Sequence, residues 1–184
     1  MRLTIIVTLS FIGVILSPLC SSVYAFEDIG SSRISPASSF YFLKTIRESI
    51  ELKLAFTPKV KIVRELEFAT RRLREVKSLV GTGSEDLIAP TLERYWYHVQ
   101  KIPDKLGDRD TLAIHLETLE RVYDQLLNKR AKMAIRATIN RLVGRADLSP
   151  NARLSACIFL TKEASSSALN ETERQILKER AGRC

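Results

Sequence analysis

Two histidines, three cysteines and one tryptophan are all that this 184-residue chain has of those types, and their scarcity removes several chemistries. A stable metal site generally takes three or four ligands. No Cys/His/carboxylate spacing here completes one, so no metal and no other cofactor is expected. No serine sits in a strand-turn-helix nucleophile elbow, and the chain lacks both Gly-x-x-x-x-Gly-Lys and Gly-x-Gly-x-x-Gly, the turns that cradle nucleotide phosphates. Acidic pairs such as Glu65 and Glu67 stand two apart, on different sides of a helix. A glycosidase-like pair of carboxylates would therefore have to be assembled by the fold. There is no internal repeat, no low-complexity tract and no β-rich region. The chain reads as a protein that is not an enzyme.

What is present is helical periodicity. Leu43, Ile46, Ile50 and Leu54 recur at three and four residues and line one helix face, which is expected to pack into a core. Ser38 or Ser39 can cap its start. Thr57-Pro58 ends that helix and starts the next, because proline cannot donate to a preceding helix but suits the first position of a new one. Ile62, Leu66, Ala69, Leu73, Val76 and Val80 continue the stripe until Gly81-Thr82-Gly83 closes it.

These residues resemble a family. Ile34-Ser35-Pro36-Ala37-Ser38 leads into Phe40-Tyr41-Phe42-Leu43-Lys44 and Arg47-Glu48. Ala55-Phe56-Thr57-Pro58-Lys59 then precedes Arg64-Glu65-Leu66-Glu67-Phe68-Ala69 and Arg71-Arg72-Leu73. That order is similar to the DUF5667 family, an exported bacterial helical domain of unknown function. Its pattern is a Pro-x-Ser-x-Phe-Tyr-x-Leu-Lys opening, a Phe-Thr-Pro-like joint and paired arginines after an acidic-apolar run. The resemblance covers roughly Ile34 to Leu142, departs at Ser39, and includes His115-Leu116-Glu117-x-Leu119 in a third helix. It implies an exported all-helical module and carries no activity with it.

Ahead of that region, Arg2 and the apolar run Leu3 to Leu16 read as a secretory leader, with Val23-Tyr24-Ala25 as the cleavage signal and cleavage after Ala25. The run is shorter than the roughly 20 residues a membrane span needs. An uncleaved anchor is the rival reading, and Ser17-Pro18-Leu19 before Cys20 makes a poor lipoprotein signal. The expected location is thus periplasmic, cell-surface or extracellular. In an oxidising compartment Cys157 and Cys184 are expected to pair, worth on the order of 3 kcal/mol through the unfolded state.

Residues 26–37 are serine-rich and read as an extended lead. After Ser84, Ile88, Leu92, Tyr95, Val99 and Ile102 form a third stripe, with Pro90 marking a start or a bend. The aromatic cluster Tyr95-Trp96-Tyr97-His98 covers a full turn, so Trp96 and Tyr97 are candidates for contact with a peptide or sugar ring. Asp108 or Asp110 caps a helix carrying Leu112, His115, Leu119, Val122 and Leu126. His98 and His115 would lie at similar heights in a hairpin, where two imidazoles alone are too few for a metal site and each reads as a hydrogen-bonded histidine at a helix interface.

The 29 basic against 21 acidic side chains give a net charge of +8, and the excess is concentrated. From Gln125 to Ala146 there is no acidic residue, while Lys129, Arg130, Lys132, Arg136, Arg141 and Arg145 form a basic amphipathic segment. This is the candidate anion-binding face, suited to an anionic membrane or a wall polymer. No base-reading motif accompanies it, so nucleic acid is not an expected partner. Ser149-Pro150 opens a nearly all-round apolar helix, and Asn170 with Glu173 forms a capping box for the last one.

The expectation is an all-α helical bundle of long antiparallel helices over 38–144, with a C-terminal helical hairpin at 145–184. Its function reads as a non-catalytic envelope interaction module binding an anionic surface or an envelope protein. The alternatives are a small glycan-acting or wall-binding enzyme and an exported helical chaperone or stress sensor. A pocket with convergent carboxylates would favour the enzyme, a continuous basic ridge anion binding, and a long exposed apolar groove the chaperone.

Overall fold

The computed structural model describes residues 29–182 apart from Arg33, Lys105, Ser167 and Ala168. The described residues are all-α, with seven α-helices: α1 Tyr41–Lys53, α2 Pro58–Leu79, α3 Ile88–Val99, α4 Arg109–Gln125, α5 Lys129–Val143, α6 Pro150–Ala164 and α7 Glu171–Ala181. The leader, its cleavage point at Ala25, and Cys184 fall outside them.

Local chemistry sets most of the boundaries. The Thr57 hydroxyl accepts from the Val60 amide at 3.2 Å and Pro58 takes the first turn of α2. Gly81 and Gly83 both adopt positive φ, which lets the chain turn sharply after α2. Asp108 caps α4, Asn128 caps α5 and Ser149 caps α6 through first-turn amides. Asn170 and Glu173 exchange reciprocal bonds of 2.8 and 3.2 Å, the expected capping box of α7. Ser38 differs from expectation. Its hydroxyl accepts from the Phe40 amide, so it shapes the turn before α1 and leaves the helix with no side-chain cap.

The core is built from α2 to α5, and α6 and α7 join it. Ala69, Leu73 and Val76 of α2 meet the α3 stripe, where Ile88, Leu92, Tyr95 and Val99 are all buried. Pro90 sits in the first turn of α3, where its missing amide costs nothing. From the tail, Leu148, Ala156, Leu160, Ala164, Leu169 and Leu177 belong to the same apolar cluster. Helix α6, apolar nearly all round in sequence, docks on this bundle by one side, and Leu154 and Ile158 face solvent. Only the side bearing Ala156, Cys157, Leu160 and Ala164 is covered.

One polar knot locks the ends of this core. Arg145 is buried, pairs with Asp147 through Nε at 2.9 Å and Nη2 at 2.7 Å, and donates to the carbonyls of Val99 and Ile102 at the end of α3. The Val99 carbonyl also accepts from the Ile102 amide at 3.1 Å, and the guanidinium adds a donor to both carbonyls at this helix end. Gly107 leaves the space that Asp147 fills: a Cβ there would stand 1.9 Å from Asp147 Oδ2. Gly107→Ala is expected to push Asp147 off Arg145 and lower stability by about 1–3 kcal/mol, read as a fall in thermal midpoint. A midpoint unchanged in Gly107→Ala would show that the pair does not hold this corner.

Candidate interaction surface

Helix α1 packs the wrong way round for its sequence pattern. The side it turns to α2 and α3 carries Tyr41, Lys44 and Glu48, each separated by three or four residues, and these meet a charged patch of the core. Arg72 of α2 is 2 % exposed and Glu75, one turn on, is fully buried. Arg72 Nη1 bonds Glu75 Oε1 at 2.6 Å, and its other nitrogen reaches Glu48 of α1. Lys44 Nζ stands 2.6 Å from the same Glu75 oxygen. The Tyr41 hydroxyl donates to Glu75 Oε2 at 2.9 Å while accepting from Arg72 and from Arg94 of α3. Arg71 extends the network to Glu67 at 2.6 Å and Glu51 at 3.1 Å.

The titration of the α1 groups fits that role. Burial, and then the Glu75 carboxylate, push the Tyr41 phenol above its ordinary value, so it stays a donor. Burial lowers the Lys44 ammonium, and the bond to Glu75 opposes that fall.

A helix that docks by its polar side must expose its apolar one. Leu43, Ile46, Ile50 and Leu54 are 51 %, 52 %, 52 % and 61 % exposed, which overturns the expectation that this stripe lies in the core. Phe40, Phe42 and Phe56 add three exposed rings, and Val60 and Val63 carry the face onto the start of α2. The charges are sorted in the same sense. Between residues 40 and 66 the acidic Glu48, Glu51 and Glu65 are all buried or half-buried, whereas of the six basic residues only Lys44 and Arg64 are half-buried and Arg47, Lys53, Lys59 and Lys61 are exposed. Arg47 and Lys53 border the α1 stripe, one on each side, as their positions on a 3.6-residue turn require. The outer side of α1 and the α1–α2 joint is therefore apolar and positive.

A family model described as Domain of unknown function (DUF5667) matches residues 33–136. The chain belongs to this family. No curated protein and no solved structure matches it. The DUF5667 region takes in α1 to α4 and the first half of α5, so the whole α1–α2 network and the outward stripe lie inside it. Arg141, Arg145 and the α6–α7 hairpin lie beyond it.

Relative to the DUF5667 network, the expected basic face of α5 is dispersed. Arg145 is buried in its pair with Asp147. Arg141 reaches Glu93 of α3 at 3.0 Å and lies over the Trp96 ring. Arg136 is mostly covered and stands 3.3 Å from Glu163 of α6. Lys132 sits over Tyr123, and Lys129 and Arg130 remain exposed at the first turn of α5. A continuous basic ridge needs neighbours that are free, and folding assigns three of these six to acidic partners. Trp96 is half-buried against the core, while Tyr97 is exposed beneath the Lys101 ammonium at 3.8 Å.

The histidines take separate partners. His98 Nδ1 lies 2.6 Å from Glu65 Oε2 and its ring stands edge-on to Phe68. His115 is fully buried, with Nε2 2.8 Å from Thr70 Oγ1 and Nδ1 3.3 Å from the Tyr95 hydroxyl. The Thr70 hydroxyl donates to the Leu66 carbonyl, so it accepts from His115 Nε2–H, and Nδ1 accepts from Tyr95. Among the described residues no three His, Cys, Asp or Glu side chains gather as a metal site. Cys157 lies on the covered side of α6.

The residues missed by sequence reasoning are those of the α1–α2 network. Part of their signal was present, since Tyr41, Lys44 and Glu48 share one face of α1, but Arg72 and Glu75 lie to one side of the expected α2 stripe and only the structure shows them buried. Buried polar residues call for complementary partners.

Proposed function

We propose that this chain is an exported, non-catalytic envelope interaction module that docks the outer face of α1 on an anionic membrane surface. The observation that carries this reading is the sorting of side chains in α1 and the joint, with the carboxylates and Lys44 inward and the apolar stripe, Arg47, Lys53 and Lys59 outward. An interfacial helix places Phe and Leu in the acyl boundary and Lys or Arg against the headgroups. No described helix is long and apolar enough to cross a membrane, and an interfacial helix does not need to.

Export, cleavage after Ala25 and a Cys157–Cys184 disulfide belong to the same proposal. Amino-terminal sequencing of the secreted protein, and its intact mass with and without reduction, check all three.

The enzyme reading has less support. The carboxylates that converge, Glu48, Glu51, Glu67 and Glu75, are held by Arg71, Arg72 or Lys44. A chaperone would also use an exposed apolar face, but has no use for its basic border.

The test is sedimentation with phosphatidylglycerol-containing vesicles and with pure phosphatidylcholine vesicles. Binding to the anionic vesicles is expected, weakening with salt. Ile46→Ser with Ile50→Ser is expected to reduce it about tenfold or more, with an unchanged melt because both side chains are exposed. Arg136→Gln with Arg141→Gln should leave it intact. Equal binding by the isoleucine variant, capture of unfolded chains instead of vesicles, or dimerisation through α1 would each sink the reading.

A further inference from the structure

An open cavity of about 570 Å³ lies where the lead, the start of α1 and the outer side of α2 meet. Its wall brings together Lys44, Arg47, Arg71 and Arg74 with the hydroxyl-bearing Ser31 and Ser32. Arg71 is already paired with Glu67 and Glu51 and Arg74 donates to the Ile29 carbonyl, so Arg47 and Lys44 are the cations that face a ligand. Among the described residues the one carboxylate on the wall is Glu67. It is bound at 2.6 Å by both Arg64 and Arg71, and although burial pushes its carboxyl up, those bonds bring it below the usual range. Glu67 is therefore committed to cations and does not compete for the cavity.

The hydrogen-bonding groups of the wall point to an anion with several acceptor oxygens. Arg47 is three-quarters exposed and, among the described residues, pairs only with Glu51 of its own helix, at 2.7 Å. Such a surface pair contributes little and exchanges readily. Lys44 already reaches beyond Glu75 to the Ser32 oxygen at 3.3 Å, so its ammonium stands between the buried network and the cavity. Guanidinium and ammonium donors beside hydroxyls are the groups that bind phosphate.

The rest of the wall is apolar. Leu43 and Ile34 are both exposed there, and Leu43 is also the first residue of the outward stripe. A ligand that fits both halves is amphiphilic, with a phosphate among the cations and a hydrocarbon chain along Leu43, Ile46 and Ile50. We infer that this cavity binds the phosphate headgroup of an anionic phospholipid, whose acyl chains follow the outer face of α1. The inference rests on the membrane-docking reading and names the lipid class that reading leaves open.

The test is calorimetry of the full chain with three soluble probes: inorganic phosphate, dihexanoyl phosphatidylglycerol below its micelle concentration, and dihexanoyl phosphatidylcholine. Phosphatidylglycerol is expected to bind at least about tenfold more tightly than the other two, because only it offers both an uncompensated phosphate and acyl chains. Arg47→Glu, on an exposed side chain, is expected to abolish that preference, and Arg47→Gln with Ser32→Ala to weaken it about tenfold. Both variants should melt like the parent chain. Equal binding of inorganic phosphate overturns the lipid assignment, and equal binding of phosphatidylcholine overturns the anionic selectivity. No binding of any probe while anionic vesicles still sediment the protein overturns the cavity and spares the docking face. Phosphatidylglycerol binding by the parent chain in the absence of any binding to anionic vesicles upholds the cavity and removes the docking face.

Discussion

Replacing Arg72 with methionine is expected to lower the unfolding free energy by about 3–5 kcal/mol, the cost of leaving buried charges without their partner. The size follows from what Arg72 touches. It is the one guanidinium bonded to Glu75 on its own helix, to Glu48 from α1 and to the Tyr41 hydroxyl. Glu75 is fully buried and would keep only Lys44 and Tyr41. A loss of that size is a large share of the roughly 5–15 kcal/mol that holds a typical domain. The loss should fall mainly on α1, whose attachment to the body is this network, so urea unfolding of Arg72→Met should lose its single transition. Hydrogen exchange should show α1 amides opening ahead of those of α3. The companion change, Arg72→Met with Glu75→Leu and Glu48→Leu, is expected to recover most of the loss, because it removes the stranded charges as well. A single variant as stable as the parent would mean that the network is solvated and does not fix the helix.

The second large effect is a dependence on pH. Burial pushes the His115 imidazole down from its ordinary 6.5 to about 3, with Arg74 adding to the fall. The folded chain thus keeps His115 neutral where the unfolded chain protonates it. Stability from this source is full above pH 6.5 and is lost as pH falls from 6.5 towards 3. Its slope approaches 1.4 kcal/mol per pH unit, the value for one proton bound by the unfolded state alone. His98 has the same sign, since burial lowers it and only partly yields to Glu65. Carboxylates such as Glu67, also depressed, add acid sensitivity at lower pH. The comparison that isolates His115 is His115→Gln, which keeps a donor and an acceptor for Thr70 and Tyr95 but does not titrate. Chemical denaturation between pH 7 and 4.5 should show the parent losing stability faster than His115→Gln. Parallel curves would mean that water reaches the imidazole and that it protonates in the folded state.

Several features follow directly from short-range chemistry. The Thr57-Pro58 joint, the Asp108, Asn128 and Ser149 caps and the Asn170–Glu173 box stand where their residue types demand, because a cap needs only the next three amides. The stripes of α3 and α4 are buried as their periodicity requires, since those helices carry only one face that can enter a core. The acidic partners of Arg136, Arg141 and Arg145, which are Glu163, Glu93 and Asp147, are on other elements or just past the helix end, and helix α5 alone contains no acid to announce them.

By itself the sequence determined that this protein is helical, where most of the helices begin and end, and which side of each is apolar. Those properties depend on backbone hydrogen bonds, caps and a 3.6-residue period, all settled within a few turns. Only the tertiary structure decided which side of α1 faces inward. Its apolar stripe and its polar face, with Tyr41, Lys44 and Glu48, were both available for docking. Arg72 and Glu75, buried on α2, require opposite charges and hydroxyl partners, and α1 supplies them. Leaving those two charges unpaired in the core would cost several kcal/mol, more than the partial burial that the isoleucines of α1 forgo.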